Sequence, residues 1–485
     1  MMSNEKYKLH PVTAIINSVK ALKDLIVPIV IIVLANGFNF NFDINSEDFF
    51  SEMLPLLILS LLVVWSLMSG IIKWLTFRYW FEDNELRVAY GLFVKKKRYI
   101  PFERIQSLNY KEGIFHRMFG LVQVLVETAG SKTGRPEAEL TAVTKQNADE
   151  IELRMKQAEK GFVEEVQEEI PQRIIIHQMT TGELLLHATT SSGIGVVLAG
   201  IFAAVTQFSE FIPFDAIYNE MAIVVQYSVV LIAFLIAVAL TIAWLISVII
   251  TFINYYQFTV ATEQDRIIVT RGLLEKKRLT IPLQRVQAIK IVENPVRQML
   301  GLCAVIVESA GGGFKGDTDK KTILMPLTSK HTAFEALQNL LPDFDFSAEV
   351  EVVPPKRARP FFYRVDFAWL IPVIGLVSYF FYPYGLFSLL LVVPIILLGY
   401  WQYRTTGYKI TGQQIIIVSR LISRVTFVVQ KKRIQMTESR QSYFQKRKQL
   451  SSCRIVVMSG MTGAAAEVSH VEQQHVDRIL DWYEQ

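Results

Sequence analysis

Three arginines stand at equivalent places in a repeated pattern, and their chemistry suits an anionic ligand. Each is followed two residues later by glutamine, in the pairs Arg104 and Gln106, Arg285 and Gln287, and Arg433 and Gln435. A guanidinium group presents a planar fork of donors that binds phosphate or carboxylate through two hydrogen bonds. The alternative is structural, with the arginine bonding backbone carbonyls at a strand corner and the glutamine on the same face. Because the pair persists where the rest of the pattern is lost, we favour the structural role.

Clusters of lysine and arginine near these arginines form a second candidate site. They are Lys95, Lys96, Lys97 and Arg98 in the first copy, Lys276, Lys277 and Arg278 in the second, and Lys446, Arg447 and Lys448 in the third. Beside a membrane such residues bind anionic headgroups, at about 1 kcal/mol each. In a solvated edge strand, the same lysines would instead prevent unwanted strand pairing. Both interpretations stay open.

The sequence shows no pattern typical of a metal site, a catalytic nucleophile or a nucleic-acid-binding surface. The histidines are scattered, without zinc-ligand spacing, and no nucleophile constellation is recognisable. Cys303 and Cys453 lie in apolar, strand-like runs and are predicted to be buried filler. A net charge of +5 is too mild for a dedicated nucleic-acid binder. The sequence thus predicts no enzyme, no metal, no cofactor and no nucleic-acid partner.

The elements that position these residues repeat three times along the chain. The pattern begins with Gly91 and Pro101 in the first copy and with Gly272 and Pro282 in the second, whereas Arg420 and Gln430 replace them in the third. The arginine precedes a closing glycine by 26, 26 and 27 residues. Gly91 and Gly272 suit a tight turn with positive φ. Such regular spacing indicates one structural unit repeated three times.

Each copy follows a pair of apolar segments free of Asp, Glu, Lys, Arg and His. The predicted spans are Leu25–Phe42 and Met53–Ile72, Gly193–Phe208 and Met221–Ile253, and Phe367–Tyr382 and Gly385–Tyr403. Each is close to or above the length that crosses a bilayer. Met221–Ile253 is long enough either to tilt or to extend from the membrane as a stem. The mean hydropathy of +0.30 reflects these segments.

Charge around the segments predicts their orientation. The hairpin links Asn39–Glu52 and Ile212–Glu220 carry acidic residues and no basic ones. The flanks on the other side are basic, with Lys20, Lys23, Lys73, Arg78, Arg173, Lys356, Arg357, Arg359 and Arg404. The positive-inside rule therefore places both termini and all three soluble units in the cytoplasm.

Each soluble unit is predicted to be an antiparallel meander closed by a helix. Short alternating runs separated by turn residues indicate six or seven strands. The terminal helices are predicted at Thr144–Gly161, Thr328–Leu341 and His470–Tyr483, with Thr328 or Ser329 as a cap. The predicted divisions are 1–75, 76–165, 166–253, 254–345, 346–403 and 404–485. The fold class is an α+β membrane protein with three helical hairpins, each followed by a small β-barrel or split barrel.

The repeated Arg-Gly-Leu-Leu, Ile-Pro-Leu-x-Arg-Val-Gln and Ala-Gly-Gly pattern, complete around Gly272–Gln287, resembles bacterial pleckstrin-homology-like domains. Three copies behind membrane hairpins resemble the YdbT type of membrane protein. The resemblance implies a split barrel, membrane location and no established catalysis. It also implies membrane lipids and a shorter single-copy relative as partners, and a role in envelope defence or antimicrobial-peptide resistance.

Two functions from different classes compete. In the favoured one, the cytoplasmic units are non-enzymatic modules that bind proteins or lipid headgroups, with an oligomer allowed. In the alternative, the apolar segments form a transporter or channel subunit. Ion pathways are usually marked by charged residues inside the membrane. The lack of such residues in all six segments argues against the alternative.

Overall fold

The computed structural model describes residues 6–35, 49–92, 94–128, 136–160, 173–191, 195, 197–200, 229–309, 322–346, 350–380, 382–459 and 463–485. The closing glycines Gly130, Gly311 and Gly460 lie outside the described residues, as do most of Gly193–Phe208 and all of Ile212–Glu220. The helices are α1 (Val12–Ala35), α2 (Phe49–Thr76), α3 (Ile114–Met118), α4 (Lys145–Lys160), α5 (Thr181–Thr190), α6 (Val229–Tyr255), α7 (Pro295–Met299), α8 (Lys330–Leu340), α9 (Phe361–Phe380), α10 (Val392–Thr405), α11 (Tyr443–Lys446) and α12 (Gln473–Glu484).

A long apolar helix directly precedes the first three main strands of every unit. Within the described ranges, Leu57–Thr76, Phe234–Tyr255 and Gly385–Thr405 are long and apolar enough to cross a bilayer. A pair bent by 44°, Lys356–Tyr363 with Ala368–Phe380, adds a fourth if it forms one span. The count of six crossings stays a prediction. Helix α6 ends only a few residues before the next strand, so the membrane helix leads directly into the soluble unit.

The strands form three similar units. Unit 1 contains β1 (Tyr7–Lys8), β2 (Arg78–Glu82), β3 (Glu85–Tyr90), β4 (Lys96–Pro101), β5 (Ile105–Glu112), β6 (Leu121–Thr128) and β7 (Ala138–Thr144). Unit 2 contains β8 (Ile174–Gln178), β9 (Thr259–Glu263), β10 (Arg266–Arg271), β11 (Lys276–Pro282), β12 (Val286–Glu293), β13 (Leu302–Ser309) and β14 (Thr322–Ser329). Unit 3 contains β15 (Gly407–Thr411), β16 (Gln414–Arg420), β17 (Arg424–Gln430), β18 (Ile434–Arg440), β19 (Leu450–Val457) and β20 (Ala464–Glu472).

Each unit consists of two antiparallel sheets that meet at a corner. We call β2–β4, β9–β11 and β15–β17 the front sheets, and β5–β7, β12–β14 and β18–β20 the rear sheets. Proline ends the last front strand in two units, because its fixed φ and missing N–H suit the end of a ladder. A 3₁₀ turn follows, and its first residue donates back to the preceding front-sheet turn. Leu283 N, for example, lies 2.8 Å from the Asp265 carbonyl oxygen.

Sheets continue from one unit into the next. The front sheet of unit 2 pairs with the rear sheet of unit 1 through β11 and β5, which gives a seven-stranded sheet. The front sheet of unit 3 pairs with the rear sheet of unit 2 through β17 and β12, which gives a six-stranded sheet. The predicted divisions therefore describe the order of the chain, while hydrogen bonding runs across the borders between units.

Short segments ahead of the hairpins also belong to the units, which the sequence analysis missed. Strand β1 pairs with β2, and β8 pairs with β9. In unit 3, Val352 forms an isolated bridge with Tyr408. Each hairpin is thus an insertion between the first strand of a unit and the rest of its front sheet.

The apolar cores lie between the two sheets and the terminal helix of each unit. The predicted terminal helices are confirmed as α4, α8 and α12, with Ser329 capping α8 through Thr332 N. The start of the last helix was predicted wrongly, because His470 lies in β20 with φ of +59° and the helix begins at Gln473. Cys303 and Cys453 are fully buried as predicted, and burial raises the pKa of each thiol to about 12.

Candidate functional site

The glycine hairpins of units 1 and 2 dock onto the ends of membrane helices. Gly272 N lies 2.9 Å from the Tyr256 carbonyl oxygen, directly after α6. Leu273 N lies 2.9 Å from the Ile253 carbonyl oxygen inside the same helix. In unit 1, Gly91 N donates to Thr76 Oγ1 at the end of α2, at 3.3 Å. These hairpins therefore lie at the membrane-proximal ends of units 1 and 2.

Backbone geometry explains why glycine occupies these two positions. Gly91 and Gly272 have φ of +107° and +110°, values that side-chain-bearing residues rarely adopt. A Cβ at either position would lie 2.1 Å from a carbonyl oxygen, that of Val94 or Glu275. Both the turn and the close approach thus require glycine.

In unit 3, an arginine side chain attaches the hairpin to the membrane helix. Arg420 stands where the other units have glycine, and its guanidinium lies 4.8 Å from the Trp401 ring centroid on α10. Its Nε donates to Thr405 Oγ1 at 3.1 Å. Gln402 on the same helix donates from Nε2 to the Leu421 carbonyl oxygen at 3.0 Å. Side chains therefore attach this hairpin to its membrane helix.

Three short helical turns lie at the same end of the units, between the first two strands of each rear sheet. Each turn, α3, α7 or α11, is anchored by a buried polar side chain at an equivalent position. His116 Nε2 lies 2.8 Å from the Thr141 carbonyl oxygen. Arg297 Nη1 donates to the Pro326 carbonyl oxygen at 3.1 Å. Gln445 Nε2 donates to Ser452 Oγ at 3.1 Å.

The outer sides of these turns expose large apolar residues. The exposed set is Ile114, Phe115, Met118 and Phe119 in unit 1, Val296, Met299 and Leu300 in unit 2, and Tyr443 and Phe444 in unit 3. Met299 is 86% exposed and Tyr443 69% exposed. The turns therefore pack against the rear sheet with one side and present an apolar surface with the other. Such a surface suits a membrane interface.

A positive-φ residue closes each turn. Gly120 and Gly301 have φ of +65° and +70°, and Gln449 takes this place in unit 3 with φ of +53°. Nothing lies within 4 Å of a Cβ built on either glycine, so a side chain fits there. Gln449 therefore occupies the place of these glycines in unit 3, directly before Leu450 begins β19.

The basic clusters have different surroundings. Lys95, Lys96 and Lys97 are exposed, whereas Arg98 forms an ion pair with Glu137 at 3.6 Å. In unit 2, Lys276 is exposed, and Lys277 and Arg278 form ion pairs with Glu275 and Glu152 at 3.4 Å each.

The cluster of unit 3 combines exposure with aromatic neighbours. Lys446, Arg447 and Lys448 are all exposed at the end of α11. The Lys448 carbonyl oxygen accepts from Arg357 Nε at 3.0 Å, which ties the cluster to the segment that enters α9. Basic and aromatic side chains therefore lie together beside a membrane helix.

A largely apolar cavity of about 520 Å³ lies between α2 and the Gly91 hairpin. Its lining includes Trp65, Ile72 and Leu92, with Lys73 and Lys96 contributing the charged groups. An apolar wall with lysines suits an amphiphile that carries a negative group.

The motif arginines lie at the opposite end of the last front strand. Arg104, Arg285 and Arg433 each end the 3₁₀ turn at the corner, about 20 Å from the hairpin for a six-residue strand. Burial lowers the pKa of Arg285, and Glu127 opposes that shift. Gln287 Nε2 donates to the backbone carbonyl oxygen of Arg285 at 3.1 Å, while the role of the arginine side chain stays a prediction. This position is far from the membrane-proximal surface.

Buried charge marks the joint between units 2 and 3. Glu308 on β13 is buried and lies 2.7 Å from Lys290 Nζ on β12. Lys290 also lies over the Phe427 ring of unit 3 at 5.3 Å, and Ser459 Oγ donates to Glu308. The carboxylate thus holds a lysine at the point where two units meet.

At the joint between units 1 and 2, an amide takes the place of the lysine. Buried Glu127 accepts from Ser107 Oγ and Asn109 Nδ2 at 3.0 Å each. Asn109 Oδ1 then accepts from Thr280 N of unit 2 at 3.0 Å.

Three separate regions of the chain match one family model, described as the bacterial PH domain, at residues 25–159, 197–343 and 367–485. The chain belongs to the bacterial PH domain family. It is also 32% identical over 501 residues to the UPF0699 transmembrane protein YdbT of Bacillus subtilis (strain 168), an alignment that covers 99% of each chain. The predicted resemblance and fold class are confirmed, and this is a membrane protein with repeated bacterial PH domains.

Within the bacterial PH domains, the buried anchors and two carboxylates were not predicted from the sequence: they are His116, Arg297 and Gln445, and Glu127 and Glu308. The carboxylates had a signal, because the first two copies share a Val-Glu dipeptide near the end of the motif and the third does not. The anchors differ in type between copies and left no such pattern. Across the described ranges, no three His, Cys, Asp or Glu side chains are grouped as metal ligands would be.

Proposed function

We propose that this is a non-enzymatic membrane protein whose three PH-like units bind anionic lipid headgroups at the cytoplasmic surface. One observation carries the proposal. Each unit presents an exposed apolar turn at the end where its hairpin docks onto a membrane helix, and in units 1 and 3 exposed lysines lie nearby.

The energetics favour a headgroup over a soluble anion. The exposed bases of unit 3 contribute about 1 kcal/mol each near an anionic surface, and this contribution decays within a Debye length of roughly 8 Å. Residues next to a membrane helix satisfy that distance condition. Tyr443 and Phe444 add apolar contact with the interface.

The cytoplasmic orientation rests on the basic flanks and the acidic hairpin links. A reporter fused to the C terminus should be active only in the cytoplasm. A reporter active outside the cell would reverse the orientation and, with it, the lipid leaflet that the units meet.

The depth of the unit 3 turn tests lipid contact directly. A Phe444→Cys variant of the full chain is labelled with a fluorophore and reconstituted into vesicles that carry lipid-attached quenchers. Cys303 and Cys453 are fully buried, so the new thiol reacts selectively. We expect quenching, and stronger quenching when phosphatidylglycerol replaces part of the phosphatidylcholine.

Arg104→Cys supplies the matched control, because this exposed residue lies at the membrane-distal corner. Its label should stay unquenched in both vesicle types. Replacing Lys446, Arg447 and Lys448 together with glutamine should remove the phosphatidylglycerol dependence at position 444. Equal quenching at positions 104 and 444, or quenching independent of lipid charge, would contradict the proposal.

We further propose that a shorter single-copy membrane protein is a partner and that the protein serves envelope defence, as the resemblance implies. A strain lacking the chain should become more sensitive to membrane-active antimicrobial peptides and recover when the gene is restored. Unchanged sensitivity across such peptides would remove this role.

A further inference from the structure

The two internal joints use the same strand register. At the first joint, Glu112 stands opposite Lys276 and Tyr110 opposite Arg278. At the second, Glu293 stands opposite Arg424 and Ile291 opposite Thr426. When the copies are aligned on their arginine–glutamine pairs and on Pro282 and Gln430, these positions coincide. One pairing rule therefore joins the first strand of a rear sheet to the last strand of the next front sheet.

Within the described part of the chain, this rule leaves one strand of each kind with an outer edge that no other strand pairs with. Strand β18 is the first rear strand of unit 3, and β4 is the last front strand of unit 1. Each lies at the edge of its sheet. Four of the seven residues of β18 and three of the six residues of β4 are exposed, whereas β12 is largely buried in the place equivalent to β18. The three-unit array thus ends in two complementary edges.

Transferring the internal register to these edges gives a specific alignment. Lys290 opposite Phe427 becomes Glu438 opposite Arg98, which brings opposite charges together. Ile291 opposite Thr426 becomes Ser439 opposite Lys97. Arg440 then meets Lys96, and this like-charged pair has a precedent in Lys111 opposite Lys277 at the first joint.

We propose that the outer edge of β18 pairs with β4 of a second copy of this chain in the register of the internal joints. A second copy is the occupant because its β4 belongs to the same strand class as β11 and β17. It also carries Lys95, Lys96 and Lys97 at the positions of Lys276, Lys277 and Arg278. Such a head-to-tail contact is heterologous, so it generates a ring if the rotation closes and a row of chains if it does not.

The inference goes beyond the proposed lipid binding and does not depend on it. It gives the exposed bases of β4 a second role, as one side of a strand joint. The alternative is that charges on β4 and β18 keep solvated edges from pairing. The two explanations predict opposite results in a crosslinking experiment.

The experiment uses two full-length chains with different epitope tags, co-expressed in membranes. One carries Ser439→Cys and the other Lys97→Cys, both at exposed positions. Directly opposite residues in an antiparallel pair have Cβ atoms about 5 Å apart, within reach of a disulfide. Mild oxidation should yield a species that contains both tags and is lost on reduction.

A register control separates strand pairing from random collision. Lys96→Cys lies one residue along β4, and because the side-chain period is two, its thiol points to the other sheet face. We expect at least about tenfold less crosslinking of Ser439→Cys with Lys96→Cys than with Lys97→Cys. Equal yields from both pairs, no species with both tags, or capture of a different protein by Ser439→Cys would overturn the proposal.

Discussion

Strands β12 and β18 are equivalent parts of the repeat, yet one is enclosed and the other is exposed. Strand β12 is covered by β17 and carries Ala288, Ile289 and Ile291, all buried. Strand β18 carries Met436, Thr437 and Ser439 at the same positions, none of which is buried. The comparison shows that the third copy keeps the backbone fold of the repeat. It differs in the residues of β18, the strand to which the front sheet of a fourth unit would pair.

The buried ion pair should make the largest difference between the two strands. Glu308→Ala leaves Lys290, only 13% exposed, without its carboxylate, so we expect a loss of about 3 kcal/mol in the opening free energy of the joint. Hydrogen exchange of β12 and β17 amides measures this loss. Glu438→Ala removes a carboxylate on the edge strand β18 and, as the control, should leave the exchange of the β12 and β17 amides unchanged. Similar effects from both substitutions would erase the distinction between the strands.

The second-largest effect is expected at the glycine hairpins, which differ between unit 2 and unit 3. Gly272→Ala introduces a strained φ and a Cβ 2.1 Å from a carbonyl oxygen, so we expect about 2 kcal/mol of destabilisation. Thermal unfolding of the purified chain in micelles checks this expectation. Gly412→Ala in unit 3 also has positive φ, of +56°, but open space around the Cβ, and should cost less. If Gly412→Ala cost as much as Gly272→Ala, the close approach would not explain the glycine.

A smaller expected effect is the pH dependence of the stability of unit 2, which comes from His187 beside the anchor residue Arg297. Burial, followed by the nearby Arg297, lowers the pKa of His187 to about 3, and Arg297 Nη2 lies 2.9 Å from the His187 Nδ1 acceptor. Because the pKa of His187 is lower in the folded state than in the unfolded state, the neutral imidazole contributes to the stability of unit 2. This contribution is fully present above about pH 6.5 and is lost as the pH falls. At pH 5.5 the loss in the free energy of unfolding should be about 1 kcal/mol.

His187→Gln keeps an acceptor for Arg297 but removes the titration of this side chain, so it should reduce the pH dependence of unit 2. The part that comes from His177 on β8, whose pKa is also lowered by burial, should remain. Hydrogen exchange at pH 7.5 and 5.5, corrected for intrinsic rates, separates unit 2 from unit 3. Unit 3 has its own histidine, His470, whose pKa burial lowers to about 4. It should therefore remain pH-dependent in the variant. An unchanged pH response of unit 2 would exclude His187 as its source.

The repeat made most of the fold predictable. Spacing and turn residues were sufficient to locate the meanders, the corners at Pro101 and Pro282 and the terminal helices. The candidate site was harder, because basic residues look alike in sequence whether they face lipid or a neighbouring unit. Arg278 pairs with Glu152 of unit 1, a residue more than a hundred positions away, and no local pattern records that contact.

The short strands before the hairpins were unpredictable for a related reason. Tyr7–Lys8 and Ile174–Gln178 are separated from their partners by entire membrane hairpins. Pairing across such a distance is decided by the folded sheet and leaves little trace in local propensity.

The sequence alone determined the repeat, the apolar membrane segments and the demand for glycine at two hairpins, because periodicity, hydropathy and backbone sterics are local properties. Only the tertiary structure decided that each rear sheet continues into the next front sheet. The same is true of the buried pairing of Lys290 with Glu308 and of the exposed edges of β4 and β18. These features depend on which strands pair in the folded protein. The residue type of an arginine, a lysine or a glutamate does not indicate which distant residue it will contact.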